Sequence, residues 1–397
     1  MRVLQLHSKP PVPKVDGGCL AADAMAQGLI EAGCEIKVVC ASTDKHPCDL
    51  PALQAAYPGA QCAHISTGLG LLQKAQLALG FGIPILHRFY DKQLEEVIHG
   101  ALKEFQPDIV LFEGLFMSIY LAGVLAVNPN QVVVLRSHNR EHLIWRRLAK
   151  TGNPLLRLAY HRVSRNLRKA ERRTVKDLSA IVPLSMKEAN SWRKDGWNGP
   201  LHVAPFGVKP LGPPMPTWPS GPFRMGHLGA MDWAPNAEGI AWFLEHCWGI
   251  IHTLHPETTF HIAGRKMPQG LGAGISGVVN HGEVPDADAF CKDLHLIVVP
   301  LLSGGGTRIK IIEALVRGNA VLATPVAAEG LDLVSGSDCI IADPQDPKDF
   351  ALAASSMIKD PEGVQELACN GRRKAANEFD RKAIGSSVLQ HFEKLTI

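Results

Sequence analysis

The chain has 397 residues, which is too long for one ordinary domain and suits two of about 200 residues each. Hydrophobic residues make up 46% of it, enough for a sizeable core in each half, and the net charge is only +3. Nine cysteines occur singly without a CxxC pair, which is typical of reduced, mostly buried thiols rather than of a disulfide framework. The chain shows neither a signal-peptide pattern nor a run of 18 apolar residues. We therefore expect a cytoplasmic protein that is soluble or bound to a membrane surface.

The first half predicts alternating strands and helices. Strands are expected at 3–6, 36–40, 109–112, 132–135 and 180–184, and helices at 20–32, 89–105 and 117–127. The first strand, the first helix and the second strand make a βαβ unit, and Gly17 and Gly18 precede its helix. This unit carries no GxGxxG, so a dinucleotide site is poorly supported. Residues 50–84, rich in Gly, Ala and Leu, give no clear pattern.

A polar cluster follows the predicted strand 132–135. It contains His138, Asn139 and Glu141. Ligands of open α/β sheets gather beyond the carboxyl ends of strands, so these side chains are well placed for binding. The alternative for His138 is a capping or core histidine.

A long basic helix is predicted next, beginning at Asn153 and Pro154, an N-cap followed by a first helical position. Between Arg136 and Lys176 there are thirteen Lys or Arg and only two acids. The simplest interpretation is a solvated face. The alternative is an anionic membrane surface or a lipid diphosphate acceptor. Nucleic acid is not expected, because aromatic residues are sparse among the bases and no recognition motif accompanies them.

The proline-rich residues 209–222 predict a semi-stiff linker, after which a second alternation begins. Strands are expected at 223–228, 259–263, 278–281, 296–300, 320–323 and 339–342, and helices at 236–254, 285–294, 308–317, at several positions up to about 378, and at 382–394.

The most informative stretch is the turn between the strand 296–300 and the helix 308–317. It contains Gly304, Gly305, Gly306 and Thr307, and Arg308 and Lys310 follow in the first helical turn. Bare backbone amides at a helix N-terminus bind anions, and glycines let the backbone approach a phosphate. Cations at that end oppose the helix dipole, so we expect mobile positive side chains with an anion between them. The alternative is a tight βα turn with solvated bases.

Four segments resemble one enzyme family. They read GGGTRIKIIEAL, AVLATPVAAEGL, HLGAMDWAPNAEGIAWFLEHCW and FHIAGR. They resemble the donor-binding half of the retaining GT-B glycosyltransferases of group 1, or family 4. The resemblance implies an α/β fold of two Rossmann-like, doubly wound domains that face each other across a cleft. It divides the chain into an acceptor domain at 1–208, the linker at 209–222, a donor domain at 223–378, and a last helix at 379–397 that crosses back to the first domain.

The resemblance also implies roles for individual residues. Gly17 and Gly18 would lie near the donor phosphates, unless they only shape the turn. His138 would contact the transferred sugar, with Asn139 and Glu141 on the acceptor side. The backbone of Gly282, Glu283 and Val284 would meet the base. The diphosphate would lie on Gly304, Gly305, Gly306, Thr307, Arg308 and Lys310. Glu313 would bind the ribose hydroxyls, unless it only forms an i, i+3 ion pair with Lys310.

Two positions depart from the family pattern. Many members have a second glutamate eight residues before the first, where this chain has Gly305. They often carry Arg and Lys after the first strand of the donor domain, where this chain has DWAPN at 232–236. We expect Arg308 and Lys310 to supply the missing positive charge.

The sequence therefore predicts a retaining glycosyltransferase that moves a sugar from a nucleotide diphosphate-sugar to a glycan or a lipid-linked acceptor, in the assembly of cell-surface polysaccharide or glycoconjugate. No metal-ligand cluster and no cofactor are expected. Two alternatives remain open: a nucleotide-sugar 2-epimerase on the same scaffold, and a non-catalytic subunit that binds a nucleotide or a glycan.

Overall fold

The computed structural model describes residues 1–68, 70–79, 83–151, 156–209, 218–304 and 308–397. They form two compact units. The first comprises Met1–Gly207 and Arg381–Ile397, and the second comprises Val208–Gly304 and Arg308–Asp380.

Some predictions fall outside the described residues. They are the predicted N-cap at Asn153 and Pro154, most of the proline-rich linker, and three members of the glycine turn, Gly305, Gly306 and Thr307.

The first unit is built on a parallel six-stranded sheet. Its strands are β1 (Arg2–His7), β2 (Glu35–Ser42), β3 (Gln61–His64), β4 (Ile109–Glu113), β5 (Val132–Ser137) and β6 (Ala180–Pro183). Their order in the sheet is β3-β2-β1-β4-β5-β6. This order reverses between β1 and β4, and such a reversal opens a crevice at the carboxyl ends of the strands, where open α/β sheets bind ligands.

The helices of the first unit cover both faces of this sheet. They are α1 (Gly17–Glu31), α2 (Leu50–Ala56), α3 (Leu71–Ala78), α4 (Ile83–His87), α5 (Lys92–Phe105), α6 (Leu121–Val127), α7 (Glu141–Thr151), α8 (Arg157–Thr174) and α9 (Met186–Lys194). The stretch 50–84, which gave no sequence pattern, holds β3 and three helices of five to eight residues. Elements this short contain too few turns for a periodicity to show.

The second unit repeats the arrangement. Its strands are β7 (Arg224–Leu228), β8 (Thr259–Ala263), β9 (Val278–Gly282), β10 (Leu296–Val299), β11 (Ala320–Ala323) and β12 (Ile340–Ile341). The order is β12-β11-β10-β7-β8-β9, which is the order of the first sheet when read from the other edge. The reversal lies between β7 and β10. The predicted fold class, two doubly wound Rossmann-like sheets, is confirmed.

The helices of the second unit include one irregularity. They are α10 (Ala234–Phe243), α11 (Gly249–Leu254), α12 (Ala287–Lys292), α13 (Ile309–Arg317), α14 (Pro325–Ala328), α15 (Pro347–Lys359) and α16 (Pro361–Glu378). A π-helical turn at Leu244–Trp248 joins α10 to α11, so the single helix predicted at 236–254 contains a wider turn.

The last helix, α17 (Arg381–Glu393), belongs to the first unit and packs on α1. Glycines allow this contact, since a Cβ at Gly385 would lie 2.0 Å from the carbonyl oxygen of Gly28. No helix in the described part of the chain is long and apolar enough to cross a bilayer.

Candidate functional site

The glycine turn of the second unit leads from β10 into α13. The buried face of α13, which includes Ile311, Ile312 and Leu315, packs the helix on its sheet, and Gly318 ends it with φ of 81°. Of the four turn residues predicted to bind phosphate, only Gly304 is described. Its φ is 120°, and a Cβ there would lie 3.3 Å from Cζ2 of Trp233. A glycine is therefore needed at this position both for its backbone conformation and for its close approach to an indole.

Lys310 is held in place by the first turn of α10 and by its N-cap residue, Trp233. Its Nζ donates a hydrogen bond to Oδ1 of Asn236 and lies 5.6 Å from the ring centroid of Trp233. Burial, together with the charge of Arg308 and against the opposing charge of Glu313, lowers the pKa of Lys310 to about 7. Near neutral pH this ammonium is thus poised to lose its proton, and a bound anion would restore the charge.

Arg308 is buried as well, with 3% of its surface exposed. Its Nε and one terminal nitrogen each lie 3.3 Å from the carbonyl oxygen of Val326, in α14. The expectation that Arg308 and Lys310 are mobile is therefore wrong, and the alternative of solvated bases is not observed either. Both cations are fixed by hydrogen bonds, to Asn236 of α10 and to Val326 of α14.

Glu313 lies one turn further along α13. Its carboxylate is 3.6 Å from the guanidinium of Arg317, an i, i+4 pair. The alternative of an i, i+3 pair with Lys310 is not observed, because Lys310 turns towards Asn236. Burial raises the pKa of Glu313, and the charge of Arg317 opposes that shift.

Three polar groups converge on Gly229, the first residue after β7. A Cβ at this position would lie 2.8 Å from Nδ2 of Asn236, 2.8 Å from Nε2 of His227 and 2.9 Å from Nζ of Lys310. Gly264, which follows β8 with φ of 151°, leaves no room on the other side, since its Cβ would lie 1.9 Å from the Gly229 oxygen. The carboxyl end of β7, at the reversal of strand order, is thus a small polar cradle that only glycine permits.

His227 contributes an acceptor to this cradle. The side chain is fully buried, and its Nδ1 lies 2.8 Å from the carbonyl oxygen of Val298, to which it donates. Burial lowers its pKa to about 3, with Lys310 adding to the shift, so the ring is neutral and Nε2 carries a lone pair. Within the described residues Nε2 has no hydrogen-bond partner. Neither His227 nor Asn236 was predicted as a site residue. The signal for His227 was its position at the carboxyl end of β7, whereas Asn236 lies in the first turn of α10.

The predicted base-binding residues follow β9. Gly282 has φ of 66°, its N–H donates to Oδ1 of Asn280 at 2.9 Å, and its carbonyl accepts from Gly264 at 2.8 Å. Glu283 is exposed and Val284 is half-buried. These contacts fix the turn at the same carboxyl edge of the sheet as Gly229.

In the first unit, His138 follows β5 and its Nε2 lies 2.6 Å from Oε2 of Glu113. Glu113 ends β4 and is buried, and its other oxygen accepts from Nε2 of Gln5 at 2.9 Å. Nε of Arg136 is 3.7 Å from the same carboxylate. The side chain of His138 is 18% exposed, which does not favour the alternative of a core histidine.

The sheet register explains why these groups meet. His7, Glu113 and Arg136 are direct neighbours on β1, β4 and β5, so their side chains point to the same face. The guanidinium nitrogens of Arg136 and both ring nitrogens of His7 have no hydrogen-bond partner in the described part of the chain. Sequence reasoning named only His138, because the pairing of strands that are distant along the chain is not visible in a single sequence.

Neighbouring cations decide the charge of each group. Burial alone would raise the pKa of Glu113, but the charge of Arg136 and the hydrogen bond to His138 outweigh it, and the pKa lies below its usual value. Burial lowers the pKa of His7 to about 4. Glu113 is therefore ionised and His7 neutral at physiological pH.

The acceptor-side candidates behave differently. Glu141 begins α7, and burial raises its pKa to about 8, with repulsion from Glu171 and Glu188 adding to the shift. Burial likewise raises the pKa of Glu188 to about 7, although it accepts a hydrogen bond of 2.6 Å from Oγ of Ser137. Asn139 is half-buried between His138 and α7 along the chain. Both glutamic acids can donate hydrogen bonds near neutral pH.

Gly17 and Gly18 begin α1, directly after the N-cap Asp16. Asp16 accepts hydrogen bonds of 2.9 Å from the N–H groups of Gly18 and Cys19, and Nζ of Lys9 lies 2.6 Å from both of its oxygens. A Cβ at Gly18 would lie 2.7 Å from this ammonium. The Gly18 amide is thus already bonded to Asp16, and a phosphate at this turn would have to bind through Lys9 or displace Asp16.

One set of possible metal ligands lies in the described residues. Atoms of His142, Glu171 and Asp195 come within 4.8 Å of one another. The guanidinium of Arg140 already bonds to both carboxylates, at 2.9 Å from Oε2 of Glu171. A cation would have to displace this arginine, so the group is an internal ion-pair network. That the protein needs no metal stays a prediction.

The fold and these strand-end groups can be compared with those of known proteins. Residues 222–360 match the family model of group 1 glycosyl transferases. The fold is similar to that of the Anabaena protein HepE in complex with UDP, with a TM-score of 0.69, 11% identity, and coverage of 99% of this chain and 100% of that one. It is also similar to sucrose-phosphate synthase from Thermosynechococcus elongatus, with a TM-score of 0.69, 16% identity, and coverage of 100% and 99%. The chain has the GT-B fold, and the resemblance to group 1 glycosyltransferases is confirmed.

A curated relative adds a genetic context. An uncharacterised 44.6 kDa protein in the cps region of Klebsiella pneumoniae is 21% identical over 299 residues, which are 71% of this chain and 74% of the relative.

Proposed function

We propose that this protein is a retaining glycosyltransferase that moves a hexose from a nucleoside diphosphate-sugar to a glycan or lipid-linked acceptor during polysaccharide assembly. The observation that carries the proposal is the cradle around Gly229, where the lone pair of His227 and the cation of Lys310 meet at the strand reversal of the second sheet. Departure of a diphosphate needs fixed positive charge and little covalent chemistry, and Arg308 and Lys310 supply it without a metal. The UDP and UDP-glucose complexes of HepE support this class of donor.

The residue roles follow from the geometry of each unit. Lys310 would bind the diphosphate as an ammonium, with Gly304 and the rest of the glycine turn. Glu313, paired with Arg317, would accept hydrogen bonds from the ribose hydroxyls. In the first unit the ionised Glu113 would hold His138 in one orientation, which suits a side chain that contacts the reacting sugar. The cps-region relative supports an acceptor in polysaccharide assembly.

Transfer can be measured with the purified protein, a panel of nucleoside diphosphate-sugars and a lipid-phosphate acceptor. Arg308→Ala and Lys310→Ala should each reduce transfer by about 10–150-fold, the worth of one charge-assisted hydrogen bond to phosphate. Lys348→Ala, which removes an exposed base on α15 of the same unit, is the matched control for loss of a cation. Near-normal turnover in both cradle variants would contradict the assignment of the diphosphate site.

The same assay separates the two alternatives. An epimerase changes the sugar of the donor when no acceptor is present, which NMR of the donor alone would detect. A non-catalytic subunit binds nucleotide and shows neither transfer nor slow hydrolysis of the donor. Either result would replace transfer as the function of the site.

We also propose that the first unit binds an anionic membrane surface through an amphipathic patch formed by α3 and the start of α8. These helices lie against each other. Leu71 and Leu72 on α3 are 87% and 82% exposed, and Leu158 on α8 is 63% exposed. Exposed bases, Arg157 and Arg162, lie beside them on α8. Leucines of this kind can enter the interface while each base contributes about 1 kcal/mol near anionic lipid.

Vesicle sedimentation tests this patch. The protein should pellet with anionic vesicles at low salt and be released towards about 0.5 M salt, where the Debye length becomes a few ångströms. Leu71→Ser/Leu72→Ser should weaken binding even at low salt. Exposed Leu352 on α15, in the other unit, offers a control for loss of a surface leucine. Failure of the wild-type protein to sediment would leave a soluble acceptor as the better assignment.

A further inference from the structure

The first unit has a cavity at the edge of its sheet opposite to His138. It has a volume of about 540 Å³ and is lined by the last turns of α8, the residues that lead into β6 and the loop after α9. Ser179 and the residues before it precede β6, whereas His138 follows β5. Parallel strands begin at one edge of the sheet and end at the other, about 13–20 Å apart for strands of four to six residues. The cavity is therefore separate from the candidate site of sugar transfer.

Its lining is strongly basic. Lys169, Arg172, Arg173 and Lys176 all contribute to it. In the described part of the chain, neither Lys169, Arg173 nor Lys176 forms an ion pair with an acid. Positive side chains gathered around a concave surface raise the local concentration of anions.

The acid in this lining, Asp195, does not neutralise these bases. Its Oδ1 accepts a hydrogen bond of 2.8 Å from Nε of Arg168, and its Oδ2 bonds to Arg140. Burial would raise the pKa of Asp195, but the two arginines outweigh burial and lower it. Its negative charge is thus matched by cations other than the four that line the cavity.

The dipole of α8 accounts for only part of this charge. Cations near a helix C-terminus are stabilised, but the effect is confined to the last turn, which here contains Arg172 and Arg173. Lys169 lies earlier in the helix and Lys176 lies beyond its end at Thr174. The helix dipole therefore does not explain why Lys169 and Lys176 line the same cavity as the two arginines, whereas an anionic ligand would explain it.

The wall opposite the bases is preformed. Gly196 turns the chain with φ of 91°, and Arg193 donates to the carbonyl oxygens of Trp197 and Gly199 at 2.9 and 2.8 Å. The indole N–H of Trp197 donates to Pro200 at 3.2 Å. A loop fixed by these bonds loses little conformational entropy when a ligand binds.

We propose that this cavity binds a phosphate group carried by a sugar or by a lipid headgroup, as a second anion site distinct from the diphosphate site of the second unit. Guanidinium groups match phosphate oxygens in a bidentate manner, and ammonium groups add charge without fixed direction. The volume lies in the range of sites that hold small organic ligands, so it has room for a sugar beside the phosphate. The binding does not depend on the transfer reaction.

The test uses the full-length protein and inorganic pyrophosphate, followed through the indole N–H signals of ¹⁵N-labelled tryptophan. Trp197→Phe identifies the signal of the cavity. In the wild type this signal should shift and saturate. In Arg173→Glu/Lys176→Glu the affinity should fall by at least about a hundredfold, because two charge-assisted contacts are lost. Arg162→Glu/Arg165→Glu makes the same charge change on exposed positions of α8 outside the cavity and should change the affinity by less than about threefold.

Two results would overturn the proposal. One is the absence of any shift of the Trp197 signal at 10 mM pyrophosphate, a concentration about tenfold above that of a weak millimolar site. The other is an equal loss of affinity in the control variant, which would mean that only the overall charge of α8 matters. If the double variant does not fold, Lys169→Glu takes its place. Lys310→Met should leave this response unchanged, so failure of the diphosphate site would not be mistaken for failure of the cavity.

Two further titrations identify the source of the phosphate group. A hexose 1-phosphate that shifts the Trp197 signal, with loss of the shift in Arg173→Glu/Lys176→Glu, supports a phosphorylated sugar. Vesicles containing phosphatidic acid that bind the wild type and Arg165→Glu equally, but bind the cavity variant more weakly, support a lipid headgroup; Arg162 is left unchanged in this control because it belongs to the amphipathic patch of α3 and α8. If the cavity variant binds these vesicles as well as its control does, and neither pyrophosphate nor the hexose 1-phosphate shifts the Trp197 signal, both sources are contradicted.

Discussion

Binding of a nucleoside diphosphate should draw a proton onto Lys310. Burial lowers the pKa of this side chain to about 7, whereas the diphosphate needs the charged form. At pH 8 only about one-tenth of the free protein carries the ammonium, so binding should take up about 0.9 proton, against about 0.5 at pH 7. Because the phosphate itself titrates near pH 6, the measurement belongs between pH 7.5 and 9. Over that range the dissociation constant should rise by up to about tenfold per pH unit.

Isothermal titration calorimetry measures the proton directly. UDP is titrated at pH 8 in buffers of different protonation enthalpy, and the slope of observed against buffer enthalpy gives the number of protons taken up. The control is Lys310→Arg, since a guanidinium stays charged at this pH. Its proton uptake should be close to zero and its affinity nearly constant from pH 7.5 to 9.

The outcome that refutes this reasoning is specific. If the wild type takes up less than about 0.2 proton at pH 8, Lys310 is either charged in the free protein or does not meet the diphosphate. If Lys310→Arg takes up as much as the wild type, another group is being titrated. The first result would change our view of the burial of Lys310 or of its contact with the diphosphate. The second would assign the proton uptake to another group.

The other predictions concern the remaining site residues. Glu313→Gln should weaken UDP binding about tenfold without changing the melting temperature, and a lower melting temperature with unchanged affinity would make Glu313 purely structural. His138→Ala should lower kcat more than it weakens donor binding, and Glu113→Gln should have much the same effect without adding to it, because one side chain orients the other; additive losses would show that they act separately. Gly229→Ala should abolish UDP binding in a folded protein, since its methyl group would fill the cradle, and normal binding would place the diphosphate elsewhere.

The sequence predicted the fold well where elements are long or lie next to clear turn residues. The strand predicted at 320–323 and the end of α13 at Gly318 agree with the structure, because a buried apolar run and a left-handed glycine are local signals. The stretch 50–84 failed because its helices and its strand are too short to show a period. The helix α7 was missed although Trp145 and Ala149 recur at helical spacing on its apolar face, with Arg146 and Arg147 exposed on the polar face.

Only the part of the candidate site that lies in one contiguous segment could be predicted from the sequence. The turn at Gly304, with Arg308 and Lys310, is contiguous in sequence and was recognised. The cradle around Gly229 needs Lys310 to reach Asn236, 74 residues away along the chain, and this contact depends on how β7 and β10 pair. For the same reason the alternative of an ion pair between Glu313 and Lys310 does not hold, since Lys310 has an acceptor that is distant along the chain.

In each of the two units, a change of protonation at alkaline pH should disfavour transfer. In the first unit an adjacent arginine keeps Glu113 ionised, whereas Glu141 and Glu188 remain protonated up to about pH 8 and 7 because burial raises each pKa. Above those values two further negative charges would appear near His138, where hydroxyl groups of a sugar would lose hydrogen-bond donors. In the second unit Lys310 loses its charge over the same range in the absence of a ligand. Alkaline pH therefore removes a cation from the diphosphate site and adds anions to the acceptor side, and transfer should decline above about pH 8 through both effects.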